Sequence, residues 1–274
     1  MIAKLLRKLI GVLLALSLLA AAVAWTFSLT LLDGQALEKT LSQPNVSQAA
    51  VDAAAKVLPA TDPTQLKKSL TPKLIEAQIG NVIPQMVNHY TNGEAVIVDF
   101  RDIGQTILAA NPGATADQLP GLFTKAQQVK FGASDRTIAD TAKIIELTKL
   151  AAPIAALALM VLLILMAGRH RFRSLAKSFI GAAVLTAVTA GMVWSPVWIS
   201  SMLLNNSGIG KIIGPLVKEA TTALAVTQSR WLLYAAAAYL GIGVIFLIIH
   251  PFFSGLHKIF GRHGGRHGKK KKHA

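Results

Sequence analysis

Cysteine is absent from the chain, which excludes disulfides, thiolate nucleophiles and cysteine-ligated metals. Acids are scarce: 13 Asp and Glu stand against 28 Lys and Arg, for a formal net charge of +15. No HExxH pair occurs, and Gly208–Gly214 (GIGKIIG), superficially a phosphate loop, lacks the GxGxxG spacing and the GK[ST] ending. Charge of either sign is missing from four long windows. These are Leu9–Leu32, Leu150–Gly168, Ser178 to about Leu204, and Trp231 to Ile249 or just beyond. A bilayer crossing needs about 20 apolar residues. With 53% apolar residues in all, the chain has too small a polar shell to bury four such runs as a soluble core.

What is present divides cleanly by charge. Lys and Arg are retained on the cytoplasmic side of a membrane. With the N-terminus inside, the inner pieces carry Lys4, Arg7 and Lys8; Arg169, Arg171, Arg173 and Lys177; and Lys258, Arg262, Arg266, Lys269, Lys270, Lys271 and Lys272, with no acid among them. The other half of the cations and all 13 acids fall in 33–149 and 205–230. Trp25, Trp194, Trp198 and Trp231 fall at the outer ends of the windows, where amphipathic rings prefer the headgroup level; Phe252 and Phe253 fall at an inner end. The expectation is an all-α, four-span plasma-membrane protein with both termini cytoplasmic and an α-rich extracytoplasmic domain containing at most one short strand region.

The boundaries expected are a cytoplasmic N-terminus (1–8), a first span (9–32), the extracytoplasmic domain (33–149), a second span (150–168), a basic loop (169–177), a third span (178–204), an amphipathic outer loop (205–230), a fourth span (231–250) and a polybasic tail (251–274). The first span competes with a signal peptide, because a basic start precedes an apolar run and Ala22-Val23-Ala24 fits a cleavage site. The apolar run continues to Leu32, which favours an uncleaved anchor. Arg169, Arg171, Arg173, Lys177, Arg262, Arg266 and Lys269 to Lys272 are expected to fix topology and to touch anionic lipid at the cytoplasmic face. Glycines beside His263 and His267 oppose a helical metal pair, and nucleic acid is not the expected partner.

Within 33–149 the pattern is helical. Ser47 is a candidate cap for a stripe of Val51, Ala54, Ala55 and Leu58. Asp62-Pro63 and Thr71-Pro72 each pair a cap type with proline at a first helical position. Ile75, Ile79, Val82, Ile83, Met86, Val87 and Tyr90 trace one face, with Gly80 and Pro84 expected to kink it. Ala95–Val98 reads as a strand, and Thr115 with Gln118 as a capping box. From a cap at Ser134, a helix is expected to place Ile138, Ala142 and Ile145 on a buried face and to run on into the second span. Ile209, Ile212, Ile213, Leu216, Ala220 and Leu224 make a further stripe, suited either to lie in the outer interface or to pack on the domain.

The stretch NHYTNGEAVIVDFRDIGQTIL, Asn88 to Leu108, with Tyr90, Gly93 and Asp102, resembles an arrangement in uncharacterised bacterial multi-span membrane proteins. There a helix ends in a Tyr-x-x-Gly-like turn, and a short strand and an acid-capped helix follow. The resemblance implies a bacterial plasma-membrane protein and no activity.

Chemistry is thin. His89 is the one outer histidine and reads as a surface or core residue. Glu94 and Asp99 are five steps apart on an extended strand and so face opposite ways; with Asp102 they read as solvated strand ends rather than a cation site. Asn45-Val46-Ser47 is a glycosylation sequon expected to be silent. Ala183, Ala187 and Gly191, and Ala237 and Gly241, recur at four-residue spacing and are expected to pack helices. No catalytic, cofactor-binding or metal residue is assigned. The expected role is non-enzymatic: a binding, scaffold or sensor domain for an extracytoplasmic protein or envelope ligand, with a second copy of the chain among the expected partners. The alternative is an oligomeric channel or small-solute transporter.

Overall fold

The computed structural model describes residues 2–57, 63–111, 115–119, 121–129, 134–195 and 208–261. Asp62, Trp198 and the tail from Arg262 through Arg266 and Lys269 to Lys272 lie outside these residues. Nine helices are described: α1 (Ile2–Thr30), α2 (Gly34–Leu41), α3 (Pro44–Val57), α4 (Pro63–Ser69), α5 (Pro72–Asn92), α6 (Arg101–Ala110), α7 (Ser134–Ala167), α8 (Arg171–Met192) and α9 (Gly208–Gly261). Four of them contain stretches long and apolar enough to cross a membrane: Lys4–Thr30, Arg136–Ala167, Arg171–Met192 and Ile212–Pro251. The chain therefore has the make-up of a helical, multi-pass membrane protein.

The chain divides into two compact units. The first comprises 1–23, 149–188 and 232–274, and no Asp or Glu occurs in any of these ranges. Its described helices form an up-and-down bundle around Ile10, Leu14, Ala156, Leu163 and Leu175. Their basic ends meet at one place. Arg7 Nη2 donates to the Met166 carbonyl at 3.2 Å, His170 faces His250 at 6.3 Å, and Phe172 stacks on Phe246 at 6.2 Å. The start of α1, the end of α7, the start of α8 and residue 250 of α9 thus share one end of the bundle. Tyr239 binds α9 to α1 further along by donating to the Leu18 carbonyl at 2.9 Å.

The second unit, 24–148 with 189–231, holds all the acids. Its core is Val51, Leu66, Leu70, Ile75, Ile103, Ile107 and Ala110, drawn from α3 to α6. Helix starts follow local chemistry. Asp33 caps α2 by accepting from Gln35 N and Ala36 N at 3.0 Å, and Thr71 caps α5 with Pro72 in the first helical position. Helix α5 ends where Gly93 adopts φ +77°, a left-handed turn that favours glycine. Helices α2 and α5 cross closely and antiparallel. A Cβ on Gly34 would lie 2.9 Å from Pro84 Cα, and one on Gly80 would lie 2.9 Å from a Glu38 carboxylate oxygen. The Gly80–Pro84 pair therefore marks a helix crossing.

Several local expectations shift. Helix α3 starts at Pro44, so Ser47 lies inside it, fully buried, with no partner for its hydroxyl. The strand expected at 95–98 is narrower, β1 (Ile97–Val98), and pairs antiparallel with an unforeseen β2 (Gln127–Gln128) in the register Ile97 to Gln128. Thr115 precedes a single 3-10 turn over Ala116–Gln118 rather than a full helix. Arg171 to Lys177 belong to α8, leaving only Gly168–His170 as the connection from α7. Residues 208–230, expected as a separate loop, are the first part of α9 and continuous with the fourth apolar stretch.

Candidate functional site

Among the described residues, two concave features stand out, one in each unit. In the second unit a cleft of about 290 Å³ opens among the end of α1 and the helices α2, α5 and α7. Its walls are Leu31, Leu37, Met86, Tyr90, Ile138 and Ile145 among others. The apolar face expected on α5 builds one wall. The face expected on α7 builds another, with a correction: Ala142 is buried, but Ile138 is 46% exposed, so this face borders the cleft instead of entering a core. Ser28 at the end of α1 donates to Glu146 of α7 at 2.7 Å, tying together two of the helices that line the cleft. The Thr141 hydroxyl donates to the Thr137 carbonyl at 2.7 Å and is committed to its own helix.

In the first unit a groove of about 820 Å³ lies between α1 and α8, with Leu163 of α7 on one wall. Lys4, Arg7, Lys8 and Lys177 line it at one end, and Gly11, Val12, Ala15, Gly181 and Val184 line the rest. The two helices run parallel here, since a Cβ on Gly11 would approach Ser178 Oγ to 3.0 Å and one on Gly181 would approach Ala15 Cβ to 3.8 Å. Of the residues expected to anchor the chain, Lys177 joins this groove, whereas Arg171 and Arg173 are exposed outside it. Arg169 lies in the turn between α7 and α8. The contribution of Lys4, Arg7 and Lys8 to a groove was not legible beforehand. The signal that could have found it is the match of two basic helix starts, each followed by a small residue about one turn later.

Within one chain the small-residue stripes divide. Ala183 is buried, while Ala187, Gly191, Ala237 and Gly241 are exposed, and among the described residues nothing lies within 4 Å of a Cβ built on either glycine. The buried face of α8 is instead Ala182, Ala183, Thr186 and Ala190. The close approach of α9 to α8 is made by Gly243, where a Cβ would stand 2.9 Å from Ile180 Cγ1 and 3.3 Å from the Ala176 carbonyl oxygen.

Around β1 the acids are engaged locally. Asp99 holds Arg101 in a two-pronged ion pair, closest at 2.6 Å, and this contact keeps the Asp99 carboxyl below its ordinary range. His89 Nδ1 lies 2.6 Å from the Glu94 carbonyl oxygen, which accepts from it in the tautomer protonated there. Among the described residues no group of three or more His, Asp or Glu could hold a metal ion. The sequon at Asn45 lies within α3 with its serine buried. No protein-family model, curated protein or solved structure matches this chain.

Proposed function

We infer that the protein sits in the plasma membrane with both termini in the cytoplasm, and that residues 33–149 form an extracytoplasmic domain that binds an envelope component, as a scaffold or a sensor, without catalysis. The observation that carries this reading is the apolar cleft among α1, α2, α5 and α7. Its walls are mainly Leu, Ile, Met and Val, and its volume of about 290 Å³ suits an apolar side-chain cluster or a short acyl segment. An exposed concave apolar surface of this kind is a binding feature, since water gains nothing by filling it. The inward placement of the termini rests on the acid-free first unit and on the gathering of its basic helix ends.

A photoreactive amino acid at Met86 should crosslink a discrete envelope component in cells, and Ile138→Trp, at an exposed position on the cleft wall, should abolish that product while the protein still accumulates. A crosslinking pattern unchanged by Ile138→Trp would sink the reading. Reporter fusions near residues 60, 172, 215 and 270 should read out, in, out and in. A second reading, an oligomeric channel or small-solute transporter, draws on the exposed small residues Ala187, Gly191, Ala237 and Gly241, which leave room for close approach by another copy. Solute flux in proteoliposomes, lost when Gly191 is enlarged, would favour it.

A further inference from the structure

We propose that the groove between α1 and α8 is a site for one anionic phospholipid, whose phosphate is held by Lys4, Arg7, Lys8 and Lys177 and whose acyl chain lies along Gly11, Leu163 and Gly181. This deepens the reading in which the basic end of the bundle meets the anionic cytoplasmic leaflet, and the choice of lipid over other occupants rests on that reading.

Three observations converge. The first is unbalanced charge. Four cations surround one end of the groove, and the ranges that make up this unit contain no Asp or Glu to neutralise them. The second is an incomplete guanidinium. Arg7 donates from Nη2 to the Met166 carbonyl at the end of α7, yet its Nε is buried without an acceptor. A buried donor left unmade is costly, and a turn of this groove-lining side chain would bring its guanidinium fork to the two free oxygens of a phosphate diester. The third is length. The groove runs from Lys4 to Ala15 on α1 and from Ser174 to Leu185 on α8. Eleven helical steps cover about 16 Å in all, of which Lys4 to Lys8 take the charged end; beyond it the apolar wall spans Gly11–Ala15 on α1 and Ser178–Leu185 on α8, about 6 to 10 Å. Charge at one end and apolar wall beyond it match a headgroup and the upper part of its chain. The close approach of Gly11 to Ser178 shuts the floor, so the chain lies against protein on one side rather than passing between the helices.

Arg171 and Arg173 supply the internal control, because they belong to the same basic end but do not line the groove. Full-length protein in neutral detergent is titrated with phosphatidylglycerol, and retained lipid is counted by native mass spectrometry. One phosphatidylglycerol should be retained per chain, in preference to phosphatidylcholine of the same chain length. Lys8→Gln with Lys177→Gln should weaken retention about 30-fold, each surface cation being worth roughly fivefold. Arg171→Gln with Arg173→Gln should weaken it far less, and both variants should elute as folded protein. Equal losses in the two pairs would mean diffuse attraction, and equal retention of the two lipids would mean no headgroup site; either overturns the proposal. Displacement of the lipid by millimolar inorganic phosphate would overturn the commitment to lipid in favour of a free anion. Because detergent removes orientation from the measurement, failure here is separable from failure of the fusion reporters, which test the topology alone.

Discussion

Gly241 and Gly243 stand two residues apart on α9, yet the structure gives them opposite duties. An isoleucine at 243 brings its Cβ to 2.9 Å from Ile180 Cγ1, 3.3 Å from the Ala176 oxygen and 3.4 Å from Ile180 N. Ordinary carbon contacts lie at about 3.5–4.0 Å. The Ile180 side chain can turn aside, but the two backbone atoms cannot, so α8 and α9 must separate. Overpacking of this kind costs about 1–3 kcal/mol. At 241 nothing lies within 4 Å, so the same substitution meets no neighbour and recovers roughly 0.5 kcal/mol of helix propensity over glycine. The two variants should therefore differ by about 2 kcal/mol. At roughly 2–4 °C per kcal/mol for a chain of this size, Gly243→Ile should melt about 4–8 °C below Gly241→Ile. Tryptophan fluorescence of the full chain in one detergent reads this directly. Equal melting temperatures would refute the assignment of Gly243 to the helix contact. A lower value for Gly241→Ile would place the packed face on the other side of α9.

Gly104→Ala should destabilise the second unit by about 1–2 kcal/mol despite a helix-propensity gain, because the new Cβ runs into the Phe123 carbonyl oxygen; Phe123→Ala should not rescue it, since that oxygen is backbone, and a chemical-denaturation midpoint checks both. Lys67 sits 2.6 Å from Asp52 and holds its carboxyl below the ordinary 3.8. The stabilisation from this exposed pair is at most a few tenths of a kcal/mol, present above about pH 4 and lost as pH falls through the folded value, so Lys67→Gln and the unaltered chain should differ slightly at pH 6 and converge as pH falls below 3.8. Amides from Ala139 to Lys149 should exchange slowly with deuterium, as interior positions of α7, and rapid exchange through that stretch would contradict the helix.

Charge-free length is what made the four apolar stretches readable, because a bilayer imposes length and composition directly. Helix ends were less readable. Arg230 ends an apolar window but not a helix, for a charged side chain leaves the backbone ladder intact, and α9 runs on through it. Ser47 looked like a cap, but Pro44 starts the helix one turn earlier and carries the serine inward. The cleft was half legible: the α5 and α7 stripes were visible, but their meeting depends on the tertiary fold. The lipid-like groove was not legible at all, because nothing local says that α1 and α8 lie parallel with basic starts in register. Alanine-rich helices defeat stripe counting for a related reason. Ala182, Ala183, Ala187 and Ala190 offer several equivalent small faces, and only the neighbours choose among them.

The connection between α7 and α8 is three residues, Gly168–His170, opened by Gly168 at φ +48°. So short a link leaves the two helices no choice but to fold back beside each other. During synthesis, the backbone polar groups of such a hairpin are satisfied within its own two arms, which is the condition lipid sets for entry. The four apolar stretches thus group as a first helix, a ready-made pair and a last helix, three units rather than four.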